Sequence, residues 1–144
     1  MTKSALDRQI ELRLFENEIR YTRGRRSVVT ALSRADGPLS AAELAEIVDV
    51  PQSSLYRTLS VLEETGVLTH HLGAKGLTRY ELDEWLTGHH HHLVCVDCGS
   101  VTDVEILAEN EQKVQDLVAA ISSAASFVPM DHALEIEGLC RRCA

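Results

Sequence analysis

Two Cys-x-x-Cys pairs, Cys95/Cys98 and Cys140/Cys143, hold all four cysteines of the chain, and four consecutive histidines at 89–92 run directly into the first pair. Two thiolate pairs can close a tetrahedral zinc site, and the imidazoles beside them can hold further divalent metal. Residues 99–139 separate the pairs, more than the roughly 15–20 residues of a compact zinc module. A shared site must therefore clip two distant segments of one domain, fastening the chain end onto the strand after the histidines. Zinc is then a folding element, and its removal should loosen the C-terminal half. Disulfides are the other use of four cysteines, but the opening Met-Thr-Lys-Ser-Ala-Leu-Asp-Arg carries no apolar signal segment. A thioredoxin-like redox centre needs one such pair, not two. No apolar run reaches about eighteen residues, so the expectation is a cytoplasmic protein without membrane contact.

A net charge of −8 argues against a non-specific polyanion binder. The charge is unevenly placed. Residues 1–60 carry nine Lys/Arg against eight Asp/Glu, whereas residues 86–144 carry three against nine. That asymmetry points to a nucleic-acid-facing front half and a metal-facing back half.

Leu6, Ile10 and Leu14 recur every four residues, with Phe15 and Ile19 alongside, which predicts an amphipathic helix over 5–19. A basic cluster follows (Arg20, Arg23, Arg25, Arg26), then Val28, Val29 and Leu32 mark a second helix that Gly37-Pro38 breaks. Ser40-Ala41-Ala42-Glu43 is a capping box for a third helix reaching about Val48. Pro51 suits the first turn of a fourth helix over 52–64, with Leu55, Leu59 and Leu62 inward and Gly66 as its stop. Residues 67–72 and 77–82 read as strands around Gly73-Ala74-Lys75-Gly76, a wing-like hairpin. The expected fold class is α+β: a winged helix-turn-helix domain over 1–85 and a small α/β domain over 86–144. In a winged helix the fourth helix enters the major groove and the wing touches phosphate. Gln52, Ser53, Ser54, Tyr56 and Arg57 are then the exposed candidates, although Tyr56 and Arg57 fit ordinary solvated surface as well.

Residues 89–96 are β-prone, and successive strand side chains point to opposite faces. His89 and His91 therefore share one side and His90 and His92 the other, which implies two sites rather than one four-histidine cage. Residues 101–106 read as a strand, 109–125 as a helix and 133–137 as a last strand. Asp103, Glu105, Glu109 and Glu111 then come within reach of the histidines, each equally readable alone as a solvated acid. His132 fits a structural role as well as ligation.

Ser53-Ser54-Leu55-Tyr56-Arg57-Thr58-Leu59, Glu63-Glu64-Thr65-Gly66-Val67-Leu68, the histidine run into Cys95-Val96-Asp97-Cys98-Gly99, and Gly138-Leu139-Cys140-Arg141-Arg142-Cys143 together resemble the ferric uptake regulator family. The resemblance extends from about Arg20 onward. It implies a homodimeric repressor that binds double-stranded operator DNA when loaded with divalent metal, with the C-terminal domain holding the dimer together. It assigns structural Zn2+ to Cys95, Cys98, Cys140 and Cys143, and a regulatory site between the domains to Glu81, His90, His92 and Asp103. It assigns an additional site to His89, His91, His132 and an acid of the long helix, Glu111 ahead of Glu109. Tyr56 and Arg57 match the family's recognition pair, and Tyr21, Arg23 and Arg26 its basic segment.

There are departures. Iron-type members carry a histidine just before the third helix; here the stretch is Gly37-Pro38-Leu39-Ser40, leaving His71 or His70 of the wing as substitutes. Zinc-type members often use a cysteine near the end of the wing, where Asp83 stands here. Asp103 in place of Glu resembles peroxide-sensing members. The N,O-rich regulatory set suits Fe2+, Zn2+, Mn2+ or Ni2+. The expected function is a metal-dependent transcriptional repressor controlling metal homeostasis, not an enzyme. A peroxide-sensing regulator of the same family is the alternative, and a metalloenzyme or metal-storage protein would leave the winged helix without a task.

Overall fold

The computed structural model describes residues 2–144. Helices form in the first half because its apolar residues fall on single helical faces. α1 (Lys3–Glu16) turns Leu6, Ile10 and Leu14 inward, while Ile19 lies beyond it and Phe15 is exposed. α2 (Arg23–Arg34) buries Val28, Val29 and Leu32. Its N-cap is Thr22, whose hydroxyl accepts from Arg25 N–H, so Arg23, Arg25 and Arg26 form the first turn of the helix rather than preceding it. Leu39–Ser40 forms a two-residue strand, β1, unforeseen because two residues carry no period. The Ser40/Glu43 capping box is present and opens α3 (Ala41–Ile47). α4 (Gln52–Glu64) buries Leu55, Leu59 and Leu62 as expected, and Thr58 with them. Pro51 is its N-cap, one position earlier than expected.

The wing is β2 (Leu68–Leu72) running antiparallel to β3 (Thr78–Leu82), with β1 paired on the other side of β3. A short helix, α5 (Glu84–Thr87), follows and spans the expected division after residue 85; its Leu86 packs into the core of the first half. The second sheet has the order β5-β4-β6, from β4 (His91–Cys95), β5 (Val101–Val104) and β6 (Glu135–Gly138), with α6 (Ala108–Ala124) between the last two. β4 begins at His91, so His89 and His90 precede it, yet the four rings still alternate in side. β6 runs parallel to β4 with Cys95 opposite Gly138, which brings the two cysteine pairs together.

The apolar core runs from Leu6 to Leu86. Beyond it, Val94 and Cys95 are the buried apolar residues among those described, whereas Leu93, Leu117, Ile121 and Ile136 are 41–61% exposed. The second half therefore cannot rest on its own hydrophobic burial. It is tied to the first by polar contacts. Asp103 N–H donates to Asp36 O (2.8 Å), Arg79 donates from the wing to Gly99 O (2.9 Å), and Lys75 Nζ donates to Asp97 O (2.6 Å). Arg79 is 5% exposed and also donates to Glu43 and Pro38 O.

Candidate metal centres and nucleic-acid face

Cys95 ends β4, Cys98 and Gly99 follow in a tight turn, and Cys140 and Cys143 lie in the turn after β6. Gly99 sits at φ 76°, a left-handed conformation that glycine adopts without cost, and its N–H donates to Cys95 O (2.9 Å). The four sulfurs lie within 4.8 Å of one another, with Cys98 and Cys140 3.8 Å apart. Zn–S bonds of about 2.3 Å place tetrahedral ligands roughly 3.8 Å apart. The donor set fits zinc. Two features favour thiolate: the Ser100 hydroxyl beside Cys98 pulls its thiol down to about 6, and Cys140 N–H points at Cys95 Sγ (3.3 Å) and lowers that thiol too. Cys143 is pushed up, first by its hydrogen bond with the Asp97 carboxyl and then by that with the Cys140 thiol, which favour the protonated thiol.

Glu81 of β3, His90, His92 of β4 and Asp103 of β5 offer ligand atoms within 4.8 Å of one another. Glu81 is buried; its oxygens lie 2.9 Å from His90 Nε2 and 3.2 Å from His92 Nε2. Asp103 Oδ1 lies 3.6 and 3.3 Å from the same two nitrogens. His90 Nδ1–H donates to Gly88 O (3.1 Å), which leaves Nε2 to face the pocket. Burial pushes the Glu81 carboxyl up, but hydrogen bonds from His71, His92 and His90 outweigh it and hold it well below the usual range. Hydrogen bonds to Asp103 and Glu81 raise His92 to about 10 against its burial. His71 stands beside this pocket, Nε2 2.5 Å from Glu81 Oε1 and its ring 4.8 Å from that of His92. His70 instead pairs with Glu63 of α4.

The third cluster joins His89, His91, Glu111 and His132, again within 4.8 Å. Glu111, in the first turn of α6, sits 2.7 Å from His91 Nε2, 2.9 Å from His132 Nε2 and 3.3 Å from His89 Nε2. The Nε2 atoms of His89 and His132 face each other at 3.2 Å, a convergence of ring nitrogens that suits a shared cation. The hydrogen bond from His91 holds the Glu111 carboxyl low. Glu105 and Glu109 join none of these clusters. All eight histidine and carboxylate positions assigned by resemblance thus gather in two pockets on opposite sides of the histidine run.

On α4, Gln52, Ser53, Ser54, Tyr56 and Arg57 are exposed, Tyr56 by 52%. Arg23 is exposed as well. Tyr21 and Arg26 are engaged internally: Tyr21 OH donates to Asp7 (2.8 Å), Arg26 pairs with the same carboxylate (3.2 Å), and its guanidinium lies 4.1 Å over the Tyr21 ring. Asp7, Arg79 and the Asp36–Gly37 turn were invisible in the sequence, since nothing local marks a partner far along the chain. Gly37-Pro38 did mark the end of the second helix, but nothing in the sequence showed that this turn packs against β5.

A winged helix joined to a small α/β domain dense in metal ligands defines a class, the metal-responsive regulators of transcription. The chain belongs to the ferric uptake regulator family, whose pattern matches residues 16–137, and members of that family regulate transcription rather than catalyse reactions. It is 30% identical to the ferric uptake regulation protein of Bacillus subtilis (strain 168), across 98% of this chain and 95% of that protein. Among solved structures, the Helicobacter pylori ferric uptake regulator, described as having three functional metal binding sites, matches 99% of this chain and 94% of its own at a TM-score of 0.77 and 22% identity, a likeness of fold. A zinc-bound manganese uptake regulator matches 91% of this chain and 98% of its own, with a TM-score of 0.70 and 26% identity. No helix among the described residues is long and apolar enough to cross a membrane.

Proposed function

We propose that this chain is a homodimeric repressor that binds operator DNA when a divalent ion fills the Glu81–His90–His92–Asp103 pocket, and so controls metal homeostasis in the cytoplasm. One observation carries the reading: Glu81 comes from the wing sheet, whereas His92 and Asp103 come from the second sheet and His90 from the residue just before it. A divalent ion there supplies charge that offsets two carboxylates and a coordination sphere shared by both sheets. Glu81, His90, His92 and Asp103, with His71 behind Glu81, would hold one placement of the wing against the second sheet. In a two-fold dimer that placement sets the spacing of the two α4 helices against two half-sites. A roughly 100-fold operator response needs about 2.7 kcal/mol of such coupling.

Residues 1–85 read DNA through Gln52, Ser54, Tyr56, Arg57 and Arg23, with Tyr21 and Arg26 shaping the basic segment. Residues 86–144 hold the metals and the partner copy. Leu93 and Ile136 are neighbours across β4 and β6 and both exposed, and Leu117 and Ile121 of α6 are exposed as well; these are the apolar residues a second copy would cover. Cys95, Cys98, Cys140 and Cys143 hold structural Zn2+; His89, His91, Glu111 and His132 form the additional site. The N,O donors of the regulatory pocket suit Fe2+, Mn2+, Zn2+ or Ni2+.

The test is fluorescence anisotropy on the protein's own promoter DNA at fixed salt, with structural zinc retained and each of the four ions titrated separately. Tight binding with one ion and weak binding without it is expected. Equal binding with and without added metal removes the switch.

A further inference from the structure

α5 links the wing strand to the histidine run, and its first two side chains grip in opposite directions. Glu84 reaches the second half: its carboxylate lies 3.2 Å from His89 Nδ1, while His89 Nε2 faces Glu111 and His132. Trp85 reaches the first half. Its Nε1–H donates to Gly66 O (2.7 Å), and the Arg13 guanidinium lies 4.3 Å over the indole while donating to Thr65 O. Thr65 and Gly66 are the turn that ends α4.

An imidazole that binds a cation through one nitrogen presents N–H at the other, and a carboxylate accepting that N–H fixes both tautomer and ring orientation. We propose that Glu84 is the positioning residue that sets His89 to offer Nε2 to the His89–His91–Glu111–His132 pocket, and that α5 carries the filling of this pocket to the end of α4. This rests on the reading of that pocket as a metal site. His89 and Glu84 are both partly solvated, with side chains 32% and 43% exposed, so the bond between them is a preference that ligation tightens rather than a fixed strut. Asp131 lies within 4.8 Å of both ligand atoms and is the neighbouring acid that could take over the N–H. Glu84 holds the better placement because its α5 backbone is anchored at both ends: Asp83 caps the helix, and Gly88 N–H donates to Glu84 O (2.7 Å).

Trp85 is the single tryptophan of the chain, so its emission reports on α5 directly. The experiment titrates Zn2+ into full-length protein that already holds its structural zinc, following equivalents bound, Trp85 emission and the 15N shifts of the His89 ring. Wild type, Glu111→Ala, Glu84→Ala and Glu84→Gln are compared. Glu111→Ala should lose one equivalent and the emission change that accompanies it. Glu84→Ala should keep that equivalent but weaken it roughly 10-fold or more, scramble the His89 tautomer and lose the emission change. Glu84→Gln retains a neutral acceptor and should recover the tautomer and most of the affinity. If Glu111→Ala binds as many equivalents as wild type, the pocket is no metal site and both readings fall. If Glu111→Ala loses its equivalent but Glu84→Ala matches wild type in affinity, tautomer and emission, the pocket stands and the role of Glu84 is overturned.

Discussion

An alanine at position 37 would put its Cβ 2.2 Å from Val101 O, 2.9 Å from Val101 C and 3.1 Å from Thr102 Cα, all backbone of β5. Gly37 does not occupy the left-handed region, so alanine can adopt its backbone and the effect is purely one of contact. Ordinary contact begins at 3.4 Å, so the turn before β1 and β5 must part by about 1 Å. That movement stretches the 2.8 Å bond from Asp103 N–H to Asp36 O beyond hydrogen-bonding range. One such bond is worth about 1 kcal/mol net, or roughly a fivefold shift away from the joined arrangement. Arg79, bonded to Gly99 O across the same junction, adds about 2 kcal/mol if its charged bond also breaks, bringing the shift to roughly 150-fold. Gly37→Ala should therefore weaken metal-dependent operator binding by about 5- to 150-fold and enlarge the radius seen by small-angle scattering, with far-UV circular dichroism unchanged. A variant with wild-type radius and wild-type metal response would refute the claim that this contact sets domain placement.

Arg57→Ala should weaken operator binding by about 1–3 kcal/mol without altering metal affinity; an unchanged anisotropy curve would move the DNA-reading face elsewhere. Chelation of the structural zinc, or Cys140→Ser, should release β6 from β4 and expose residues 86–144 to limited proteolysis while the Leu6–Leu86 core survives. Protection of the C-terminal half after zinc loss would show that it folds without the metal. In the metal-free protein His92 is raised from 6.5 to about 10, so its charged bonds stabilise fully below its ordinary value and are lost as pH rises through about 10. Filling the regulatory pocket at pH 7 must then expel that proton, and metal affinity should fall as pH falls. Against its burial, His90 is raised as well, by its bonds to Gly88 O and Glu81. Calorimetry in buffers of different ionisation enthalpy should therefore find at least one proton released per ion, and none released would contradict the protonated state of His92.

The helices of the first half were legible because their signals are local. Leu55, Leu59 and Leu62 repeat at helical spacing, and Ser40 with Glu43 forms a cap three residues apart; α4 accordingly has the expected bounds. The split of the histidines was legible for the same reason, since extended chain alternates its side chains, and His89 and His90 obey it even outside β4. The short elements were not legible: β1 has two residues and α5 has four, too few for any period to show.

The ligand chemistry, four thiols and a run of imidazoles, is intrinsic to the residue types, and with helical and strand periodicity it needed only the sequence. Which acid meets which histidine was decided in three dimensions. Glu111 rather than Glu109 enters its pocket through the rotation of α6, and Asp103 reaches His92 through the register of β5 on β4. The Gly37 junction, the Arg79 bond to Gly99 and the grip of Glu84 and Trp85 likewise exist only in the folded chain. Each joins groups whose proximity depends on how sheets and helices pack, and packing is a property of the whole chain that no local stretch encodes.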